Sequence, residues 1–148
     1  MATRTVDPKA AYELLQQGYL FLDVRSELEF ALGHAPHAYN VPISQPQYDQ
    51  LIPNPDFLKI VCANVPRLTP LVVGCHATAR SARACAELEG AGYTNLVHVI
   101  PGWDGQRDAF GRILPGWSRL GLPAETGDGG ERGYAALLAQ AILGERSS

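Results

Sequence analysis

Pro70-Leu71-Val72-Val73-Gly74-Cys75-His76-Ala77-Thr78-Ala79-Arg80-Ser81 is the stretch on which the reading of this chain turns. Residues 70–75 form a short apolar run opened by a proline and closed by a glycine and a cysteine, as expected of a strand buried on both faces. Immediately afterwards Ser81, Ala84, Cys85, Leu88 and Ala91 recur near helical period, and Gly92 offers a C-cap. The order is strand, tight loop, helix, with a thiol at the strand's carboxyl end and an arginine five positions later. A loop that turns so tightly points several backbone N–H groups inward, and the helix adds its positive N-terminal end. Both favour an anion in the loop. A free thiol with a pKa near 8.5 is only about 3% ionised at pH 7, and helix N-termini and nearby cations raise that fraction. In open α/β sheets ligands bind beyond the carboxyl ends of the strands, and Cys75 stands at such an end.

Working outward, the same alternation recurs. Asp7 followed by Pro8 reads as an N-cap and first helical residue, with Ala11, Leu14 and Leu15 on one face and Gly18 as the stop. Residues 19–24, YLFLDV, form a second buried strand, and Ser26 with Glu29 has the spacing of a capping box that starts a short helix. Gly33, Pro36 and Pro42 predict an irregular segment after it. Asn54 and Pro55 repeat the cap-then-proline signal for a helix carrying Phe57, Ile60, Val61 and Val65 and ending before Pro66. LVHVI at 96–100 is the next strand. Helix and strand alternate throughout, which argues for a parallel sheet covered on both sides. Residues 125–133, ETGDGGERG, read as a linker, and a tail helix follows in which Tyr134, Leu137, Leu138, Ala141 and Ile142 form an apolar stripe. Such a stripe is expected to pack back on the domain, with docking of a partner the lesser alternative.

A length of 148 residues fits one core, and a formal net charge of −3 provides no basic field to hold a polyanion, so nucleic acid is not an expected partner. No apolar stretch has the length of a signal peptide's core or a membrane span, so the expectation is a soluble, cytoplasmic protein without a membrane partner. Three cysteines, Cys62, Cys75 and Cys85, are odd in number and lack CxxC spacing, which signals neither a disulfide framework nor a zinc knuckle.

DVRSELEF at 23–30, GHAPHAYNVP at 33–42, CHATARS at 75–81 and PGW at 101–103 stand in the order in which the rhodanese family carries its motifs, and over residues 5–123 the chain resembles that family. The resemblance implies an α/β, doubly wound fold with a parallel sheet of about five strands and helices on both faces. It divides the chain into a domain at 5–123, a linker at 124–133 and the tail helix at 134–148. It also implies a sulfurtransferase in which the Cys75 thiolate takes sulfane sulfur from a donor such as thiosulfate as a persulfide. A thiophilic acceptor, cyanide or a thiol, then receives it; an acceptor protein is a further possible partner. His76, Ala77, Thr78, Ala79 and Arg80 then form the active-site loop, whose amides cradle the persulfide and whose Arg80 braces the loop and attracts the donor's oxyanion. Asp23, Arg25 and Ser81 take supporting roles, and no cofactor or metal is implied. The related phosphatases and arsenate reductases have a loop one residue longer, C-x5-R, and the C-x4-R of Cys75 and Arg80 favours sulfur transfer. A binding or sulfur-sensing module of the same fold is the alternative. Thr78 keeps it open, because the family places glycine there, and a β-branched residue at positive φ would be strained.

The remaining candidates have plainer readings. Cys85 on the core stripe of its helix and Cys62 at a stripe's edge are structural thiols by default. His34 is a local hydrogen-bond partner, His37 and His98 have no partner at ligand spacing, and His76 borders the nucleophile where it would tune donor access. Asp23 and Arg25 suit a structural ion pair, and Trp103 and Trp117 suit packing.

Overall fold

The computed structural model describes residues 3–147. Its strands are β1 (Arg4–Val6), β2 (Leu20–Asp23), β3 (Tyr39–Asn40), β4 (Ser44–Gln47), β5 (Gln50–Pro53), β6 (Leu71–Gly74), β7 (Leu96–Val99), β8 (Gly105–Arg107) and β9 (Ile113–Pro115). Its helices are α1 (Pro8–Gln16), α2 (Glu27–Leu32), α3 (Phe57–Asn64), α4 (Ala79–Gly90) and α5 (Tyr134–Ser147). Five strands form one parallel sheet in the order β1-β7-β6-β2-β3, with β6 at its centre.

The alternation of side chains along each strand divides the interior into two cores. Leu22 of β2 and Leu71 and Val73 of β6 face Ile60 and Val61 of α3 and Ala84 and Leu88 of α4. Phe21 and Val72 point the other way, onto Ala11 of α1, Phe30 of α2 and Trp117. This is the parallel α/β sheet with helices on both faces that the element order implies. Trp117 sits fully enclosed, edge-on to Tyr12 and Phe21, with its indole N–H donated to the Pro123 carbonyl at 2.9 Å.

The caps at the first two helices form as their sequences predict. The Asp7 carboxylate accepts from the Ala10 amide at 2.8 Å, and Ser26 and Glu29 close a reciprocal capping box. Three local expectations need correction. Residues 33–42 contain the edge strand β3, which pairs Leu22 with Tyr39 and Asp23 with Asn40; two residues are too few to show a period of two. The third helix begins at Phe57, behind Asp56, because Asn54 spends its side chain on a turn, accepting from the Asp56 amide at 3.0 Å and donating to the Pro42 carbonyl at 2.9 Å. Two antiparallel hairpins, β4–β5 and β8–β9, lie outside the main sheet in segments whose pattern announced no strands.

The amphipathic α5 lies along α3 with Leu137 and Ala141 buried in the first core. Asn64 Nδ2 donates to the Leu137 carbonyl at 3.0 Å, Asn54 Nδ2 to the Tyr134 hydroxyl at 3.1 Å, and Lys59 pairs with Glu145. Among the described residues no helix is long and apolar enough to cross a membrane.

Candidate active site

Cys75 follows the last residue of the central strand β6, and α4 begins at Ala79, so residues 75–78 make the whole turn. The first three carbonyls of that turn are tied to the segment that follows β7. Cys75 O accepts from the Trp103 amide at 2.7 Å, His76 O from Asp104 at 3.0 Å and Ala77 O from Gly102 at 2.7 Å. With those oxygens tied down by residues 102–104, the turn leaves the amides of residues 76–80 without a protein acceptor among the described residues. The next amide, Ser81 N–H, donates to Cys75 Sγ at 3.2 Å. Gly102 is required at this point, since a Cβ there would lie 2.1 Å from the Cys75 carbonyl oxygen.

Thr78 does not adopt the positive φ expected at its place in the loop. It stands at the N-cap of α4 with φ −149° and ψ −41°, and among non-glycine residues positive φ occurs at His37, Tyr48 and Asp49, none of them in the loop. The turn closes without a left-handed residue, so the expected conflict between a β-branched side chain and positive φ does not arise. The Thr78 hydroxyl instead hydrogen-bonds Gln106 of β8, linking the loop to the β8–β9 hairpin.

Arg80 meets Glu29 in a two-point contact, Nη1 to Oε1 at 2.7 Å and Nη2 to Oε2 at 2.9 Å. The guanidinium thereby braces α4 against α2, and its charge is matched by a carboxylate. Burial alone would raise the Glu29 carboxyl, but the Arg80 hydrogen bonds and charge, with help from Ser26, outweigh it and hold that carboxyl at about 2 instead of 4.5. In return the hydrogen bonds from Glu29 raise the Arg80 guanidinium further. Glu29 is legible in the sequence only as half of a capping box; nothing in its spacing announces a partner on another helix.

Asp23 and Arg25 lie at the carboxyl end of β2, next to Gly74 in register, and form a buried ion pair at 2.7 Å. Arg25 also donates to the Gly33 carbonyl at 2.6 Å and lies 4.9 Å over the Trp103 ring. Asn40 closes the group by donating to the Asp23 and Arg25 carbonyls. The arrangement fixes the loops on either side of the thiol without directing a charge at it. His34 stacks on Phe30 with Nδ1 2.7 Å from the Phe30 carbonyl, and, beyond the local role expected of it, pairs through its backbone and its Nε2, at 3.7 Å, with Glu125. His76 is half-exposed at the rim and pairs with Asp104.

Ser81 and His98 complete the surroundings of the sulfur. The Ser81 hydroxyl is 3.2 Å from Cys75 Sγ, 3.0 Å from the Thr78 carbonyl and in contact with His98 Nε2. His98 carries no motif, and its position under the loop follows only from the register of β7 with β6, which pairs Val73 with His98. Cys85, one turn further along α4, is also buried. Burial first, then the negative charge of Glu89 and Cys75, push its thiol up to about 12. No group of metal-ligating side chains occurs among the described residues.

The chain is similar in sequence and in fold to known proteins. Residues 7–106 match the model of the rhodanese-like domain. Thiosulfate sulfurtransferase 16, chloroplastic, of Arabidopsis thaliana is 32% identical over 121 residues, covering 82% of this chain and 92% of the relative. Thiosulfate sulfurtransferase GlpE of Haemophilus influenzae is 28% identical over 127 residues, covering 85% and 98%. The senescence-associated protein DIN1 of Raphanus sativus is 35% identical over 99 residues, and the match spans 54% of that longer protein. Among solved structures, Rv0390 from M. tuberculosis superposes with a TM-score of 0.71 at 27% identity, over 86% of this chain and 100% of that one.

Proposed function

The chain belongs to the rhodanese-like domain family, and on that premise we propose that it is a sulfurtransferase working through a persulfide on Cys75. The carrying observation is the loop itself: the Cys75 sulfur with the Ser81 amide on it, followed by five amides, residues 76–80, that have no protein acceptor among the described residues and so are available to an anion. In the first half-reaction the Cys75 thiolate attacks the outer sulfur of thiosulfate. The S–S bond of the donor breaks, sulfite leaves with the bonding pair, and Cys75 carries the persulfide. In the second, a thiolate or cyanide attacks the outer persulfide sulfur and leaves the Cys75 thiolate behind. The loop amides hold the terminal sulfur, and with Arg80 matched by Glu29 they are also what meets the donor's oxyanion.

The Arabidopsis thaliana and Haemophilus influenzae relatives described above bear the name thiosulfate sulfurtransferase, which supports thiosulfate as the donor to test first. The assay is thiocyanate formation from thiosulfate and cyanide by the purified protein, with a mass measurement of the Cys75 peptide after thiosulfate alone. Turnover and a mass gain of one sulfur are expected. Absence of both, in protein that is folded, would leave the binding or sensing module as the better reading. Cys75-dependent hydrolysis of a small aryl phosphate would point instead to oxyanion chemistry and overturn the inference drawn from loop length.

A further inference from the structure

His98 is a buried, titratable side chain that the sulfur-transfer steps do not use, and it is joined to the nucleophile through a single residue. Its Nε2 contacts the Ser81 hydroxyl, which is 3.2 Å from Cys75 Sγ; both residues are enclosed, Ser81 completely. The Ser81 hydroxyl has one hydrogen and three neighbours that can accept it, the Thr78 carbonyl at 3.0 Å, Cys75 Sγ and His98 Nε2. Which neighbour receives it depends on the histidine. With Nε2 bare, the imidazole takes the hydroxyl hydrogen, and Ser81 Oγ is free to accept from the Cys75 thiol. With Nε2 protonated, the imidazole donates to Ser81 Oγ, and the hydroxyl can donate to the Cys75 sulfur beside the Ser81 amide.

We propose that His98 is a positioning residue for Cys75, its two neutral tautomers directing the Ser81 hydroxyl toward or away from the sulfur as the thiol ionises. On ionisation one proton moves from Cys75 Sγ to Ser81 Oγ, the hydroxyl's own proton moves to His98 Nε2, and the proton on Nδ1 leaves to solvent. One proton is lost, and the ring is neutral before and after. Burial pushes the His98 imidazole below its ordinary range, which favours a neutral ring in both states. His98 also borders a surface pocket of about 220 Å³ with Thr3, Thr5, Cys85 and Glu89, and this is the route the proposal gives the departing proton. Thr5 of β1 and Val73 of β6 flank His98 in register. Among the described residues the titratable groups facing it are Cys85 and Glu89 of α4, while Arg80 is the cation coupled to Cys75.

This inference rests on Cys75 as the nucleophile, and the test separates the two. Alkylation of Cys75 by iodoacetamide is followed against pH by peptide mass spectrometry. His98→Leu, which cannot donate to Ser81, is expected to raise the pH midpoint by about one unit, roughly tenfold slower alkylation below it. His98→Gln, whose amide can donate to Ser81 Oγ, is expected to return the midpoint close to the wild-type value. Imidazole ¹⁵N spectra of the wild-type protein should show Nε2 gaining its proton as Cys75 ionises, a change absent in Cys75→Ala. An unchanged midpoint in folded His98→Leu, or a His98 tautomer indifferent to Cys75 ionisation, overturns the role; should His98→Leu not fold, the wild-type spectra decide. Wild-type thiosulfate turnover is measured in parallel. Its loss strikes the sulfur-transfer reading, whereas turnover with an indifferent His98 strikes this inference alone.

Discussion

Cys75 and Cys85 are almost equally buried, 3% and 5% exposed, and lie against the same core, yet their surroundings are opposite. Cys75 opens a loop whose amides at 76–80 have no acceptor among the described residues, with Ser81 N–H on its sulfur and Arg80 near by. Cys85 stands on the apolar stripe of α4 with a carboxylate, Glu89, as its charged neighbour, and its thiol is pushed up to about 12. Burial therefore does not distinguish the two cysteines. What distinguishes them is whether the buried space offers donors to a negative sulfur or only apolar atoms and like charge.

Five substitutions test that contrast. Cys75→Ser is expected to lower thiocyanate formation on the order of 10⁴-fold, to background, while Cys85→Ala should stay within about twofold of wild type; initial rates of both variants check it. A Cys85 variant as damaged as the Cys75 one would end the comparison.

Gly102→Ala attacks the loop from behind. Its Cβ would meet the Cys75 carbonyl oxygen at 2.1 Å, and relief requires the segment to withdraw from the carbonyls it ties down. A loss of about 2 kcal/mol or more is expected in denaturant titration, together with most of the turnover. Retained activity in a destabilised protein would mean that the loop keeps its shape without residues 102–104.

Glu29→Gln sharpens the role of Arg80. The pair is partly exposed, so screening limits the expected loss to about 0.5–1 kcal/mol. Its pH dependence is distinctive. Because the folded carboxyl is held at about 2 against 4.5, its stabilisation is fully present above pH 4.5 and is lost as the pH falls toward 2. Wild type should therefore shed more stability than Glu29→Gln across that window, as acid melts of the two will show.

Thr78→Gly should do least. With φ at −149° there is no left-handed conformation for glycine to relieve, so turnover is expected within about threefold of wild type and stability lower by a few tenths of a kcal/mol. A large gain in turnover would show that the threonine does impair the loop.

Much of this site can be read along the chain because it depends on neighbours in sequence. The Cys75-to-Arg80 turn, the Asp7 cap, the Ser26–Glu29 capping box and the Asp23–Arg25 pair join residues two to five positions apart, which spacing can report. Glu29 against Arg80, Gln106 against Thr78 and His98 beneath Ser81 join residues 17 to 51 positions apart, and no local pattern carries them. The strand β3 was hidden for a different reason: two paired residues among prolines carry no period.

By itself the sequence determined the alternating order of helices and strands, hence a parallel doubly covered sheet, and placed a thiol at the carboxyl end of one of its strands. Those features follow from periodicity and from turn chemistry, which act over a few residues. Only the tertiary structure decided which groups face that thiol. The loop's first three carbonyls are tied down by residues 102–104, its arginine is matched by a carboxylate from another helix, and a histidine lies under its serine through strand register. Contacts of this kind depend on how elements dock, and docking is set by the packing of the whole core.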